Sequence, residues 1–395
     1  MHVEVAEAPQ VDAAFAAVVS AALKRRQAHP HDRVVVALSD VPRHRALHAE
    51  RAEPLRRAGI EVWLVAQTGE IDEVGRAELP DRVVATDTAV QRRHRAHQSR
   101  WRRDVLGLPA GEPPERVRRT YPTLGNYLPE THDGQRADAA GWNLMSDAAR
   151  DYTRERLAVL RRIGGLAEPD RLWRNMLSSQ PLAFSIAGHL RAHQAAAVAV
   201  FAELTGWPVT GLDRLGGLGD DHSLDGIEAE WSPPRERHTG DRSGFDLAAV
   251  LRLDGGGRAL VSVEVKYVDS FSPARLDPTD YAEHLAATGI GTDAASAIVA
   301  AGGSQFLRSV LLTESVRRTG IRGESRLDRA LSVVLARADD PTAERAVHVL
   351  QKQAPAVATA RWSHDELFAA AGRQDGLAEW ARRMNRRYVP NEEGP

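Results

Sequence analysis

The chain has 395 residues, 43% of them hydrophobic and 27% charged, which is long enough for two or three domains with a buried core and excludes a purely disordered product. Its 52 basic and 54 acidic side chains leave a formal net charge of -2, so any nucleic-acid affinity must come from a local patch. With no cysteine, disulfides, thiolate metal sites and thiol nucleophiles are excluded. No apolar run approaches the roughly 20 residues of a membrane span, so a cytoplasmic protein with no membrane partner is expected.

Residues 1–88 read as a small α/β accessory unit. An apolar-periodic segment over 11–23 is followed by a strand over 33–38, a helix over 46–58 and a strand over 60–65, with Gly59 where a helix C-cap belongs. The first of these strands runs into Ser39-Asp40-Val41-Pro42 and not into a glycine-rich loop, so nothing there marks a phosphate site. Residues 89–180 read as a helical, arginine-rich connecting region. Val90, His94, His97, Trp101 and Val105 recur at spacings of four, three, four and four, one face of a helix. Arg92, Arg93, Arg95, Arg100, Arg102 and Arg103 occupy the remaining faces in a stretch free of acids. They either track a nucleic-acid backbone or form a solvated helix face. The chain then reads as mainly helical over 142–202, and a glycine- and aspartate-rich loop over 211–226 leads into a strand-rich stretch.

Two strand-like runs, 245–253 and 258–268, are joined by Asp254-Gly255-Gly256-Gly257, a hairpin signature. With the turn centred near Gly255, paired residue numbers sum to about 510, which sets Asp246 opposite Glu264. Alternation puts Leu260, Ser262, Glu264, Lys266 and Val268 on one face, so Asp246, Glu264 and Lys266 converge. Two carboxylates at close range repel unless a cation lies between them, and hard oxygen ligands suit Mg²⁺ or Mn²⁺. Of the 52 basic residues only Lys24, Lys266 and Lys352 are lysine. A compact ammonium beside the acid pair can orient or help deprotonate a water and offset charge growing on a phosphorane, for which a planar guanidinium is poorly suited. The alternative is a cross-strand salt-bridge cluster on an exposed sheet face.

Gly244-Phe245-Asp246 followed by Glu264-Val265-Lys266 resembles the PD-(D/E)XK nuclease superfamily, the restriction-endonuclease-like fold. The resemblance implies an α/β (α+β) core over 181–390, a mixed sheet flanked by helices, with one helix before the hairpin at 189–204 and one after it at 304–317. It implies Asp246, Glu264 and Lys266 as the catalytic set. It also implies Mg²⁺ or Mn²⁺ held by Asp246, Glu264 and the backbone carbonyl of Val265. A narrower similarity is to an uncharacterised group of bacterial restriction-endonuclease-like proteins within the superfamily, covering roughly 116–390. It rests on Arg171-Leu172-Trp173-Arg174-Asn175-Met176-Leu177-Ser178-Ser179-Gln180-Pro181-Leu182 and on Gln305-Phe306-Leu307-Arg308.

Other positions support this set. Glu230, on a strand where Glu228 and Glu230 alternate with Ile227, Ala229 and Trp231, and Glu203, on the preceding helix, are alternative candidates for a further metal ligand. Gln305 and Arg308 lie three apart on one helical face and can reach the site or a phosphate. Asn175 and Gln180 are polar contacts to nucleic acid or a helix end before Pro181. The last helix is expected to pack Trp380, Met384 and Tyr388. The resulting expectation is a metal-dependent endonuclease hydrolysing phosphodiester bonds in DNA, with RNA not excluded, acting in restriction or antiviral defence or alternatively in repair. The competing class is a catalytically inactive nucleic-acid-binding or assembly module. A homodimer or a defence-system partner protein is left open.

Overall fold

The computed structural model describes residues 87–390 apart from 120, 166, 270, 272–275 and 324–325, together with 2–6, 11–28, 34–39, 52, 54–55, 58–65, 71–72 and 84. The chain divides into two compact units, Met1–Ala137 with Arg174–Met176, and Asp138–Trp173 with Leu177–Glu393. This division runs through the expected 89–180 connecting region.

The first unit contains β1 (His2–Ala6), α1 (Val11–Ala28), β2 (Val34–Ser39), β3 (Ile60–Val65), β4 (Ile71–Asp72) and α2 (Ala89–Arg100). The sheet order is β1-β2-β3-β4, the first three strands parallel and β4 antiparallel to β3. Val34, Val36 and Leu38 bury one side of β2 together with Ile60 and Val62 of β3 and Ala22 of α1, the two-residue spacing of a strand that packs one face against a helix. Most of the helix expected over 46–58 lies outside the described residues. α2 opens with a Thr88 capping box to Gln91 and continues into a π-helical turn, Trp101–Val105. His94, His97 and Trp101 are buried as the stripe predicts, but Val105 is 39% exposed. The Leu106 N–H reaches back five residues to the Trp101 carbonyl, and the extra residue in that turn rotates the stripe away from the interior.

The second unit contains α3 (Asp147–Ile163), α4 (Ser179–Ala192), α5 (Gln194–Thr205), β5 (Val209–Leu212), β6 (Ile227–Trp231), β7 (Phe245–Leu253) and β8 (Arg258–Val265). α6 (Ser304–Thr319), β9 (Arg329–Ala336), α7 (Pro341–Gln351), β10 (Ala358–Ser363), α8 (His364–Gly372) and α9 (Ala378–Tyr388) follow. The sheet runs β6-β7-β8-β9-β10, with β5 also pairing β7. The β6–β7 and β7–β8 pairs are antiparallel, and β8–β9 and β9–β10 are parallel. α4 lies against β6, β7 and β8, and α6 against β8 and β9. This is a mixed sheet flanked by helices. Ala259, Leu260, Val261, Val263 and Val265 are all buried, because β8 has a partner on each edge and a helix against it, the setting in which strands become continuously apolar.

The hairpin register is the expected one: Leu247 pairs with Val263 and Arg252 with Arg258. Gly255 and Gly256, at φ 77° and 83°, make the reversal, which residues with a Cβ resist. Two expectations are corrected. The single helix over 189–204 is two, broken at His193 (φ -124°, ψ 56°), whose Nδ1–H donates to the His189 carbonyl at 2.9 Å and so competes with helical bonding. The loop over 211–226 contains a short antiparallel pair, Arg214–Leu215 with Leu224–Asp225. α9 buries Trp380, Met384 and Tyr388, and also the whole of Arg387, which donates to the Asn143 carbonyl at 2.9 Å. Among the described residues no helix is long and apolar enough to cross a membrane.

Candidate active site

The hairpin brings Asp246, Glu264 and Lys266 together at one end of the sheet. Lys266 Nζ lies 2.8 Å from Glu264 Oε1, and Asp246 Oδ2 accepts the Val265 N–H at 2.7 Å. Glu264 and Lys266 are only 4% and 6% exposed, so the cluster is not a solvated sheet face. Its cover is α6. Ser262 Oγ meets Thr313 Oγ1 at 2.7 Å, Ser309 Oγ reaches Glu264 Oε2 at 3.5 Å, and Lys266 Nζ donates to Gln305 Oε1 at 3.0 Å. The Gln305 amide also donates to Glu264 Oε1. These three rungs follow from matched rises: two strand residues advance about 6.6 Å and four helical residues about 6.0 Å. Thus 262, 264 and 266 face 313, 309 and 305. Ser309 and Thr313 are absent from the sequence reading, although polar residues at four-residue spacing in the otherwise apolar Phe306-Leu307…Val310-Leu311 helix carry the signal.

Glu230 joins this site. β6 pairs with β7 through Ala229–Leu247 and Trp231–Phe245, which puts Glu230 opposite Asp246. Its φ is 47°, a left-handed conformation that is rare for a residue with a side chain and tends to mark functional positions. Arg156 holds the distorted strand by donating to the Ala229 and Glu230 carbonyls at 2.9 and 3.0 Å, and Gln180 Nε2 donates to Glu230 Oε1 at 2.9 Å. Glu228 is otherwise engaged: Tyr152 Oη donates to it at 2.8 Å and Arg191 at 2.9 Å. Glu203 is not brought to the site. It lies on α5, which packs against β5, and forms an exposed ion pair with Arg373.

Charge is crowded here. Burial first, then the Glu264 and Glu230 charges, push the Asp246 carboxyl well above the ordinary range, and Lys266 and the Val265 N–H offset this only in part. Burial also raises Glu230; the Gln180 bond opposes the rise and the Glu264 charge adds to it. For Lys266, burial pulls the ammonium down, but Glu264 and Asp246 outweigh it and the net shift is upward. Glu230, Asp246, Glu264, Gln305, Arg308 and Ser309 line one cleft of about 820 Å³. Among the described residues no group of three or more His, Asp or Glu side chains forms a ready-made metal cage. The donor set nonetheless suits a hard divalent cation, because its members are oxygens and its excess negative charge is what such an ion relieves.

Two of the six candidate arginines of the first unit, Arg95 and Arg102, are turned inward. Arg95 is buried, ion-paired with Asp87 at 2.6 Å and hydrogen-bonded to Asn126. Arg102 is buried and donates to the Gly125 carbonyl at 2.9 Å and to that of Leu108. Arg92 bonds the Asp87 carbonyl and Arg103 pairs with Asp104 at 2.6 Å, while Arg93 is exposed and Arg100 half-buried. Arg95 and Arg102 therefore serve the interior: a guanidinium's five donors satisfy carbonyls and amides of the irregular chain around 108–126 that lack regular partners. Asn175, expected as a nucleic-acid contact or helix end, accepts from Asn126 at 2.9 Å.

No curated protein and no solved structure gives a significant match to the chain. A family model described as the PD-(D/E)XK nuclease superfamily matches residues 85–390. That match takes in more than half of the chain, including both strands of the Asp246, Glu264 and Lys266 hairpin, and the chain belongs to the PD-(D/E)XK nuclease superfamily.

Proposed function

We propose that the protein is a metal-dependent endonuclease that hydrolyses phosphodiester bonds in DNA. The observation that carries this reading is a half-buried Asp246 and a buried Glu264 on the wall of one cleft, with the buried Lys266 ammonium 2.8 Å from Glu264 Oε1. Asp246 and Glu264, with the Val265 carbonyl and Glu230, would hold Mg²⁺ or Mn²⁺, which supplies charge neutralisation at the scissile phosphate and activation of water. Gln305 fixes both ends of the Lys266–Glu264 pair, so the ammonium is oriented before substrate arrives. From there it can donate to a non-bridging phosphate oxygen or orient the attacking water. The Val265 N–H bonds Asp246 Oδ2 and so holds the carboxylate in place, and Oδ1 would be the oxygen available to a metal ion. The same acids, lysine and cleft disfavour an inactive module, for which a costly cluster of buried like charges has no use. A role in restriction or antiviral defence extends the family resemblance.

The test is incubation of the purified protein with supercoiled plasmid, linear duplex and single-stranded RNA, in Mg²⁺, Mn²⁺ or EDTA. Internal cutting of plasmid that requires metal is expected. Activity confined to RNA would correct the substrate, and undiminished cutting after complete metal removal would exclude the two-carboxylate chemistry.

A further inference from the structure

The cleft floor is acidic, so a polyanionic strand can enter only where positive charge meets it. The connection between β6 and β7, residues 232–244, supplies that charge. It is anchored from within at two places. His238 is buried, its Nε2 bonded to the Ile321 carbonyl at 3.0 Å and its Nδ1 to Ser315 Oγ at 2.8 Å. Asp241 accepts from Thr239 Oγ1 at 2.8 Å, from the Ser243 N–H at 2.9 Å, from Ser243 Oγ at 2.8 Å and from Tyr281. Between and beside these anchors, Arg235 and Arg242 are exposed and line the same cleft as Asp246 and Glu264. Among the described residues neither guanidinium has a hydrogen-bond or ion-pair partner, whereas Arg95, Arg102 and Arg387 are tied to interior partners. Glu236, exposed on the same turn, is the one neighbouring acid of the connection that is not tied up like Asp241.

We propose that Arg235 and Arg242 bind backbone phosphates flanking the scissile one, so that the nucleic-acid strand follows the β6–β7 connection and not the arginine-rich helix of the first unit. The inference rests on the nuclease reading and adds the path of the substrate to it. Anchoring at His238 and Asp241 spares the backbone of the connection an ordering cost on binding, so that only the arginine side chains need be fixed, and phosphate contacts of this kind position a strand without reading its sequence.

The test uses the full chain and a fluorescein-labelled duplex, with affinity measured in EDTA at several salt concentrations and cleavage kinetics measured with Mg²⁺. Changing Arg235 and Arg242 together to Gln should weaken binding by at least about tenfold on unrelated sequences. It should also flatten the slope of log affinity against log salt by up to about 1.8, near 0.9 for each lost contact. KM should rise while kcat at saturating DNA stays within about threefold. Changing both to Lys should retain most of the slope, and Arg237→Gln, on the same turn but off the cleft, should leave it unchanged. If wild type binds and cuts but the double Gln variant keeps the wild-type slope and KM, the proposal is overturned and the nuclease reading stands. If wild type neither binds nor cuts nucleic acid, both fall.

Discussion

Asp246 and Glu264 look equivalent in sequence, but their surroundings differ. Asp246 is the strained member: its carboxyl is pushed up by burial and by two neighbouring acids, and among the described residues its one hydrogen bond is from the Val265 N–H. Asp246→Asn keeps an acceptor for that N–H and removes one repelling charge, so the metal-free melting temperature should be unchanged or slightly higher. Glu264 is instead the counter-ion of a lysine that is 6% exposed. Glu264→Gln should lower stability by about 3–5 kcal/mol, because it leaves a buried ammonium short of its partner. Denaturant melts of the two variants check this, and equal losses would mean that the acids are interchangeable. Lys266→Arg preserves charge but not size, in a pocket closed by Gln305 and by the Phe271 ring 5.0 Å away. A loss of at least about a hundredfold in cleavage is expected with folding retained, and near-full activity would remove Lys266 from the chemistry. The acid pair and lysine are legible in the sequence because a glycine turn fixes the register and alternation fixes the face. The part played by Glu230 is not, since it depends on a left-handed backbone at position 230 that regular alternation cannot foresee.

At the scale of elements, β7 and β8 were legible from period and turn chemistry and α6 from the family resemblance, and the contact between α6 and β8 follows from the near equality of their rises. The arginine-rich helix shows where reading by period fails. Its apolar stripe marks the buried face through Trp101, but charge density says nothing of whether a guanidinium points outward or bonds inward, and Arg95 and Arg102 point inward. Arg95→Gln should therefore lower the melting temperature markedly by leaving Asp87 buried without its 2.6 Å partner. It should leave the salt dependence of nucleic-acid binding unaltered, which titrations over a range of salt concentrations will show. A flattened slope with an unchanged melt would restore Arg95 as a phosphate contact. The break at His193 is a failure of the same kind, since a side-chain bond to the backbone overrides an apolar run with high helical propensity.

Across the second unit, buried histidines tie stability to pH. Burial holds His364 down to about 3, against a weaker upward pull from its bond to the Lys266 carbonyl, and His189 is held down to about 4 by burial and by His193. A histidine depressed in the folded state adds stability that is complete above about pH 6.5 and is lost as pH falls toward the folded value. His364→Gln keeps a donor for the Lys266 carbonyl, 2.9 Å from Nε2 in the wild type, and removes the titration. Its melting temperature should gain on wild type as pH falls from about 6.5 to 4, and parallel curves would contradict this assignment. The hairpin and the site on it were within reach of the sequence because they are local, whereas the mixed sheet and its flanking helices were implied by the family resemblance. The parallel pairings of β8 with β9 and of β9 with β10 join segments far apart in the chain, which no local pattern reports.

The claim on which the rest depends is that the Asp246, Glu264 and Lys266 cluster is a metal-dependent catalytic centre. It is tested most directly by plasmid cleavage with wild type and Asp246→Asn purified side by side, since that substitution changes one oxygen and conserves the fold. Wild type should cut in Mg²⁺ or Mn²⁺ and stop in EDTA. The variant should cut at least about a hundredfold more slowly at an unchanged melting temperature. Equal cutting by the two proteins would contradict the account.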